Sequence, residues 1–405
     1  MSGTAHVSFS TNIERLQPSA TMAVSTLAKR LRAEGRDVID LSAGEPDFPT
    51  PEWIADAAVD GIRKGKTRYT PAAGTPELRN AIAGTLSVRA GRTLEPSGVV
   101  VSCGAKHGLF NVCFALFGPG DEVLIASPYW TSYPEIVTLA RAEPVFVAGS
   151  EARDLRVTPD DLEAATTEST RGFIYSSPSN PTGSVYSLDE LRSVAEWARD
   201  RGIWLIADEI YRPIYFGDDR EEAAGLLDLP ESSLGPFVLV DGASKAFAMT
   251  GWRIGFTWTE PEVAKEITAL QSHITSNAAT PSQMAALAAY GDPERANAAV
   301  AEMRKAFRRR RDLVTRLLSE LLPELSYVTP QGAFYVFLRV DGVLRGEDTD
   351  ATRFCSWLLS EAGVALVPGA AFGDDRFARL SYATSDDVLE DAIRRMAAAV
   401  RARRG

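Results

Sequence analysis

The sequence predicts an α/β protein, an open and mostly parallel sheet sandwiched by helices, with a smaller α+β unit beside it. Three observations carry this. From about residue 98 the chain alternates short β-branched runs with amphipathic segments, the pattern of strand–helix crossovers. After the long helical stretch "PERANAAVAEMRKAFRRRRDLVTRLLSELL" the texture changes to shorter mixed segments. A chain of 405 residues also suffices for about two to three domains and a large core.

In order, "GVVVS" reads as a strand followed by the helical "KHGLFNVCFALF", "DEVLIAS" is followed by "SYPEIVTLA", and "RGFIYSS" by "SLDELRSVAEWARDRG". "GIWLIAD", "PFVLVDG" and "WRIGFTW" continue the series as strands. Beyond the long helix, "GAFYVFLRV", the helical "ATRFCSWLLSEAG", "VALVPG", "ARLSYAT" and a last helix form the smaller unit. The expected division is a large domain over 48–295 and a small one made of 1–47 with 296–405. No internal repeat and no low-complexity linker interrupts the chain.

Composition excludes several classes of function. Forty-three Lys and Arg against 54 Asp and Glu leave a net charge of -11, which opposes a nucleic-acid or anionic-membrane partner. The basic run Arg308 to Arg311 is read as the solvated face of an amphipathic helix. No apolar run serves as a signal peptide or approaches the ~20 residues of a membrane span, so a cytoplasmic location is expected. Cys103, Cys113 and Cys355 are odd in number and far apart, and His6, His107 and His273 lack ligand spacing. Disulfides, a metal site and a Ser-His-Asp triad are all poorly supplied.

Ligands of open α/β sheets sit beyond the carboxyl ends of the strands, so the residues there matter most. In "GASKAFAMTGWRIGF", Lys245 and Arg253 stand among small and aromatic residues. They are either a strand and turn whose lysine snorkels to water, or an amine that forms an imine with a bound aldehyde beside a guanidinium that clamps the same molecule's phosphate. "ADEIY" ends a strand with Asp208 and brings Tyr211, and "SPSNPTG" places Asn180 in a turn. "SCGAKHGLF" runs through Gly104 into a helix whose first amides, at Ala105 and Lys106, are suited to a phosphate. "SPYW" offers Trp130 as core or as a stacking plate. All five lie at one sheet edge. Together they supply what pyridoxal phosphate requires.

Here the chain resembles the fold-type I pyridoxal-phosphate-dependent aminotransferases of class I and II, and among them the bacterial aspartate aminotransferase subgroup. The likeness runs through "PSATMAV", "SAGEPDF", "YTPAAGTPELR", "GDEVLIASPYWTSYPE", "SPSNPTG", "ADEIY", "SKAFAMTGWRIGF" and "ARLSYATS", nearly the whole chain. It implies a seven-stranded sheet, a homodimer, and transfer of an amino group from L-aspartate to 2-oxoglutarate by a ping-pong route through pyridoxamine phosphate. Carried over, Lys245 is the imine lysine, Asp208 pairs with the pyridine nitrogen, and Asn180 and Tyr211 bind the ring hydroxyl. Trp130 stacks on the ring and also faces substrate. Arg253, Gly104, Ala105, Lys106 and a Tyr69 from the neighbouring subunit hold the phosphate. Arg379, Asn180 and Gly44 receive the substrate's α-carboxylate, and Thr21 with Lys106 reads the distal carboxylate of aspartate.

Three positions depart from the pattern. Gly242 stands where many relatives carry a phosphate-binding serine, which leaves Ser244 as the hydroxyl counted among the cofactor ligands. Gln17 precedes "PSAT" where relatives that also accept prephenate typically have lysine, so prephenate is not expected as a good substrate. "HITSNAATPSQ" lacks the proline often seen after "TSN". The same scaffold also serves aromatic or other biosynthetic aminotransferases and lyases, since a fold does not choose among chemistries. A DNA-binding regulator built on an aminotransferase-like domain is opposed by the intact Lys245, Asp208 and Arg379 and by the lack of a basic N-terminal domain.

Overall fold

The computed structural model describes residues 9–18, 20–346 and 349–403. Seven strands form the main sheet: β1 Val99–Ser102, β2 Glu122–Ser127, β3 Glu143–Ala148, β4 Thr170–Ser176, β5 Trp204–Asp208, β6 Phe237–Gly242 and β7 Gly255–Trp258. Their spatial order is β1-β7-β6-β5-β4-β2-β3. Neighbours are parallel except at β7, which runs antiparallel to both β1 and β6. Six of the seven were legible as apolar runs. The seventh, β3, is an edge strand with Phe146 exposed, and its irregular burial gives no clean period.

The central strands read as unbroken apolar runs because helices cover both faces. Leu205, Ala207 and Leu239 pack into one layer, while Ile206, Val238 and Val240 pack into the other. Crossover helices start where the sequence offers caps. Ser187 accepts the Glu190 amide while the Glu190 carboxylate accepts the Ser187 amide, and the helix Leu188–Arg201 ends at Gly202 with φ 65°. This returns the chain to begin β5 beside β4.

The second core surrounds a four-stranded antiparallel sheet of β8 Ser326–Tyr327, β9 Tyr335–Arg339, β10 Val367–Pro368 and β11 Phe377–Ser381, in the order β10-β11-β9-β8. The N-terminal segment joins it through a short parallel pairing of Ile39–Asp40 with Val364–Ala365. The helix Pro293–Leu321 passes from one core to the other: Ala296 and Val300 pack under the main sheet, Met303, Phe307, Val314 and Leu318 in the second core.

The basic run on this helix is not a solvated face throughout. Arg308 pairs with Asp218, Arg309 with Asp386, and the buried Arg310 makes a bidentate bond to Asp47 at 2.7 and 2.8 Å. The aspartates that claim these arginines lie far off in sequence. A four-residue pattern gives no hint of them.

Candidate active site

A cavity of about 450 Å³ opens at the carboxyl ends of β4, β5 and β6, between the main sheet, the second core and the helix Ala20–Ala33. At one end, β1 runs into the helix Ala105–Leu116 through Gly104, whose φ is 84°. The first amides of a helix have no acceptor within it, so those of Ala105 and Lys106 are available to an anion. Arg253 stands beside them in a left-handed conformation, φ 56°, donating to the Thr250 carbonyl at 3.0 Å and the Cys103 carbonyl at 3.3 Å. A non-glycine residue there marks strain of a kind that clusters at functional sites.

Glycines make this corner tight enough. A Cβ at Gly104 would lie 2.4 Å from the Arg253 guanidinium, and one at Gly255 would lie 2.1 Å from the Ala105 nitrogen. One at Gly242 would lie 2.7 Å from the Gly255 Cα, so a serine cannot enter without spreading β6 from β7. This is a packing reason for the glycine. Ser244, two residues on and buried, lines the cavity.

The middle of the cavity holds the reactive groups. Lys245 donates to the Gly44 carbonyl, with its nitrogen 5.7 Å from the Tyr211 ring centroid. Burial lowers its pKa to about 8, with the Arg379 and Arg253 cations acting in the same direction and Glu45 opposing. Asp208 is buried at the end of β5, accepting from the Tyr133 hydroxyl at 2.7 Å and the Ile210 amide at 3.2 Å. Burial raises its pKa to about 6, and the Tyr133 hydrogen bond works against that. Trp130 packs edge-on against Tyr133, and Lys106 lies 4.9 Å over its ring. Burial, then the Arg253 charge, lowers the Lys106 pKa.

At the far end Arg379, on β11, donates to Asn180 Oδ1 at 2.9 Å and to the Ser42 carbonyl at 2.7 Å. Its guanidinium lies 4.4 Å over the Tyr335 ring, and its Nε has no partner. The Tyr211 and Tyr335 hydroxyls share a 2.7 Å bond. Thr21 lines the rim from the helix Ala20–Ala33. Tyr69 lies outside the cavity, 90% exposed.

Sequence reasoning missed Tyr133 and Tyr335. Tyr133 lies three residues after Trp130 in a motif already singled out, so its spacing was a usable signal. Tyr335 sits in "GAFYVFLRV", read as a strand alone; nothing local marks it.

The donor set fits a phosphorylated pyridine together with an amino acid. Among the described residues, Asp208 and Arg379 are buried, face one cavity and make no ion pair, although buried charges are ordinarily compensated. Asp208 calls for a cation such as a protonated ring nitrogen. Arg379, a buried cation at the cavity wall with no carboxylate in ion-pair contact, calls for one. The phosphate would meet Arg253 and the helix amides.

Such a fold and site define an enzyme that works on amino acids through a bound pyridine cofactor. The chain belongs to the class I and II aminotransferase family, whose model matches residues 36–396. It is 42% identical to an aspartate aminotransferase of Geobacillus stearothermophilus, over 95% of this chain and 96% of that one. Identity is 41% to an aspartate/prephenate aminotransferase of Cereibacter sphaeroides, over 96% and 98%. The solved aspartate aminotransferase of Thermus thermophilus with maleate superposes with a TM-score of 0.91 at 39% identity, over 97% of this chain and 100% of that one. As a member of this family the protein is a pyridoxal-phosphate-dependent aminotransferase acting on amino acids and 2-oxo acids. Among the described residues no helix is long and apolar enough to cross a membrane.

Proposed function

We propose that the protein transfers the amino group of L-aspartate to 2-oxoglutarate, giving oxaloacetate and L-glutamate. The observation that carries this is the pair of buried charges without an ion-pair partner, Asp208 and Arg379, facing one cavity that also holds Lys106 and Thr21. An α-carboxylate is taken by Arg379 with Asn180, and a second carboxylate finds a cation and a hydroxyl at Lys106 and Thr21. The Thermus relative was solved with maleate, a dicarboxylate.

Pyridoxal phosphate, when bound, supplies a carbonyl for the amino group and a ring that delocalises the electron pair left at Cα. The chain does the rest. Lys245, with a pKa near 8 in the cofactor-free chain, is neutral for part of the time at neutral pH, and so serves as nucleophile and then as carrier of the Cα proton. Asp208, oriented by Tyr133 and the Ile210 amide, holds the ring nitrogen's proton. Arg253, Gly104, Ala105, Lys106 and Ser244 hold the phosphate, Asn180 and Tyr211 the ring hydroxyl, Trp130 a ring face, and Gly44 helps receive the α-carboxylate.

The test is selectivity. Lys106→Ala and Thr21→Val should each lower kcat/KM for aspartate about tenfold or more and leave phenylalanine nearly unchanged, the loss of a charge-assisted or neutral bond to one carboxylate. Equal losses for both donors would remove the aspartate reading and leave the aminotransferase intact. Gln17, where relatives that also accept prephenate typically have lysine, keeps prephenate an unexpected substrate; its backbone N–H donates to Glu135 at 3.1 Å.

The proposed assembly is a two-fold homodimer in the cytoplasm, with 48–295 as cofactor domain and 1–47 with 296–405 as small domain. Exposed Tyr69 supports the dimer, standing on a strap fixed by Thr280, which donates to the Arg68 carbonyl at 2.7 Å, and by buried Gln283, which donates to Thr70 at 3.0 Å. An exposed aromatic on a fixed strap suits a reach into a partner's site. Refolding Lys245→Ala with Tyr69→Ala should restore about a quarter of wild-type activity, because half the dimers are mixed and each has one intact site. No recovery above the parents, with dimers present, would return Tyr69 to its own chain.

A further inference from the structure

Behind the strand ends, on the face away from the cavity, lies a buried charge cluster that the chemistry above does not use. Glu209 follows Asp208 directly and turns to the opposite side, where it is 1% exposed. Its carboxylate accepts from Arg89, on the last turn of the helix Pro76–Ala90, and from the Leu226 amide at 2.8 Å. Arg89 also reaches Asp241, near the end of β6, at 3.7 Å. Arg212 lies 3.7 Å from Glu209 and pairs with Glu222 and Asp228. The site is built for this carboxylate: a Cβ at Gly225 would lie 2.5 Å from either Glu209 oxygen.

The cluster has no positive charge to spare. Arg89, Arg212 and the partly exposed Arg220 face Glu209, Glu222, Asp228 and Asp241, and the Tyr290 hydroxyl lies near Arg89 and Asp241. Burial raises the Asp241 pKa to about 7, so removing Arg89 leaves two arginines against three carboxylates even with Asp241 protonated. Glu209 is the member nearest Asp208 in the chain, and a like charge disfavours ionisation. The other groups around Asp208 are Tyr133, Tyr211 and Lys245. Lys245 favours the anion, as does the Tyr133 hydrogen bond. Around Glu209, Tyr175 adds a buried hydroxyl without a partner.

We propose that Arg89 is a positioning residue for transamination: by holding and neutralising Glu209 behind the end of β5, it keeps Asp208 charged in front, where the ring nitrogen is held. The inference rests on the reading of Asp208 as that nitrogen's partner. Burial already drives Asp208 toward its neutral form, and Glu209 pushes the same way. Without Arg89, Asp208 would carry a proton itself and would no longer favour a protonated ring nitrogen.

The test loads each variant with nitrogen-15-labelled pyridoxal phosphate. It follows the ring-nitrogen chemical shift at neutral pH, the acid limb of kcat/KM, and the melting of the cofactor-free protein. Arg89→Met should move the ring nitrogen toward neutral pyridine and raise the acid limb by about one pH unit. Adding Glu209→Gln to it should bring both back, although the packing loss remains. Glu209→Gln alone should lower the limb, and Arg89→Lys should hold it. Asp208→Asn is the control: if its ring nitrogen stays protonated, the Asp208 reading fails and the inference with it. If that control responds while Arg89→Met and Glu209→Gln leave shift and limb unmoved, Arg89 is merely structural. Should Arg89→Met not fold, the Glu209→Gln limb decides, and an unmoved one overturns the proposal.

Discussion

At the cofactor end of the cavity, Asp208 closes β5, Lys245 and Ser244 follow β6, and Ala105 opens the helix after β1, so each side chain belongs to the last residue of a strand or the first turn behind it. At the carboxylate end, Arg379 comes from β11 of the second core, Gly44 from the connector after Ile39–Asp40, Asn180 from the turn after β4 and Thr21 from the helix Ala20–Ala33. One end is a single sheet's edge; the other is assembled from four distant segments. The first owes its geometry to strand register, which one slipped residue would destroy. The second owes its geometry to how the second core seats on the sheet.

Lys245→Ala should have the largest effect, abolishing turnover by about 10⁴-fold or more while leaving a folded protein, since the proposed function gives this one amine the roles of nucleophile and proton carrier. In the cofactor-free wild type, labelling of Lys245 by an amine reagent should rise through about pH 8. The sign follows from burial, which favours the neutral amine, so this lysine becomes reactive at lower pH than surface lysines. Peptide mapping checks both. A midpoint shared with surface lysines would mean that the sheet edge does not tune its amine and that the two ends differ less than their architecture suggests.

Arg379→Lys should come next, with a loss of about 2–3 kcal/mol in kcat/KM for every amino donor. The guanidinium spends one donor of each terminal nitrogen on Asn180 and the Ser42 carbonyl and keeps further N–H groups in a planar fork; an ammonium has three donors in all and cannot hold both partners and also present a parallel pair to a carboxylate. A loss confined to dicarboxylic donors would place Arg379 at the wrong carboxylate. The contrast with the sheet edge would then need redrawing, with the α-carboxylate held elsewhere.

The same contrast governs what the sequence disclosed. Asp208, Lys245 and Arg253 were legible because each sits in a short motif beside an apolar run, at the strand ends where ligands of open α/β sheets lie. Nothing in "GAFYVFLRV" says that Tyr335 will lie under Arg379, because that contact forms only when β9 pairs with β11. Arg89 and Glu209 were unread for a related reason: their partnership joins a helix end to a strand end 120 residues away. Gly242 shows the reverse case. As a departure from a pattern it stood unexplained until β6 and β7 were seen to meet there, glycine on glycine.

The smallest effect is predicted for Tyr335→Phe, which probes the end that no motif announced. The change removes the 2.7 Å bond to the Tyr211 hydroxyl and keeps the ring that lies 4.4 Å beneath the Arg379 guanidinium. One net hydrogen bond is worth about 0.5–1.5 kcal/mol, so kcat/KM should fall roughly three- to tenfold. Because the aromatic face stays, the α-carboxylate subsite is preserved and KM should move less than kcat. The loss belongs to the orientation of Tyr211 in the reacting complex rather than to substrate capture. Tyr335→Leu removes the ring as well, and should add a KM increase by withdrawing the cation–π support of Arg379. A KM rise already complete in Tyr335→Phe would mean that the hydroxyl itself seats the carboxylate. The second core would then contribute a direct ligand there and not a platform under the arginine.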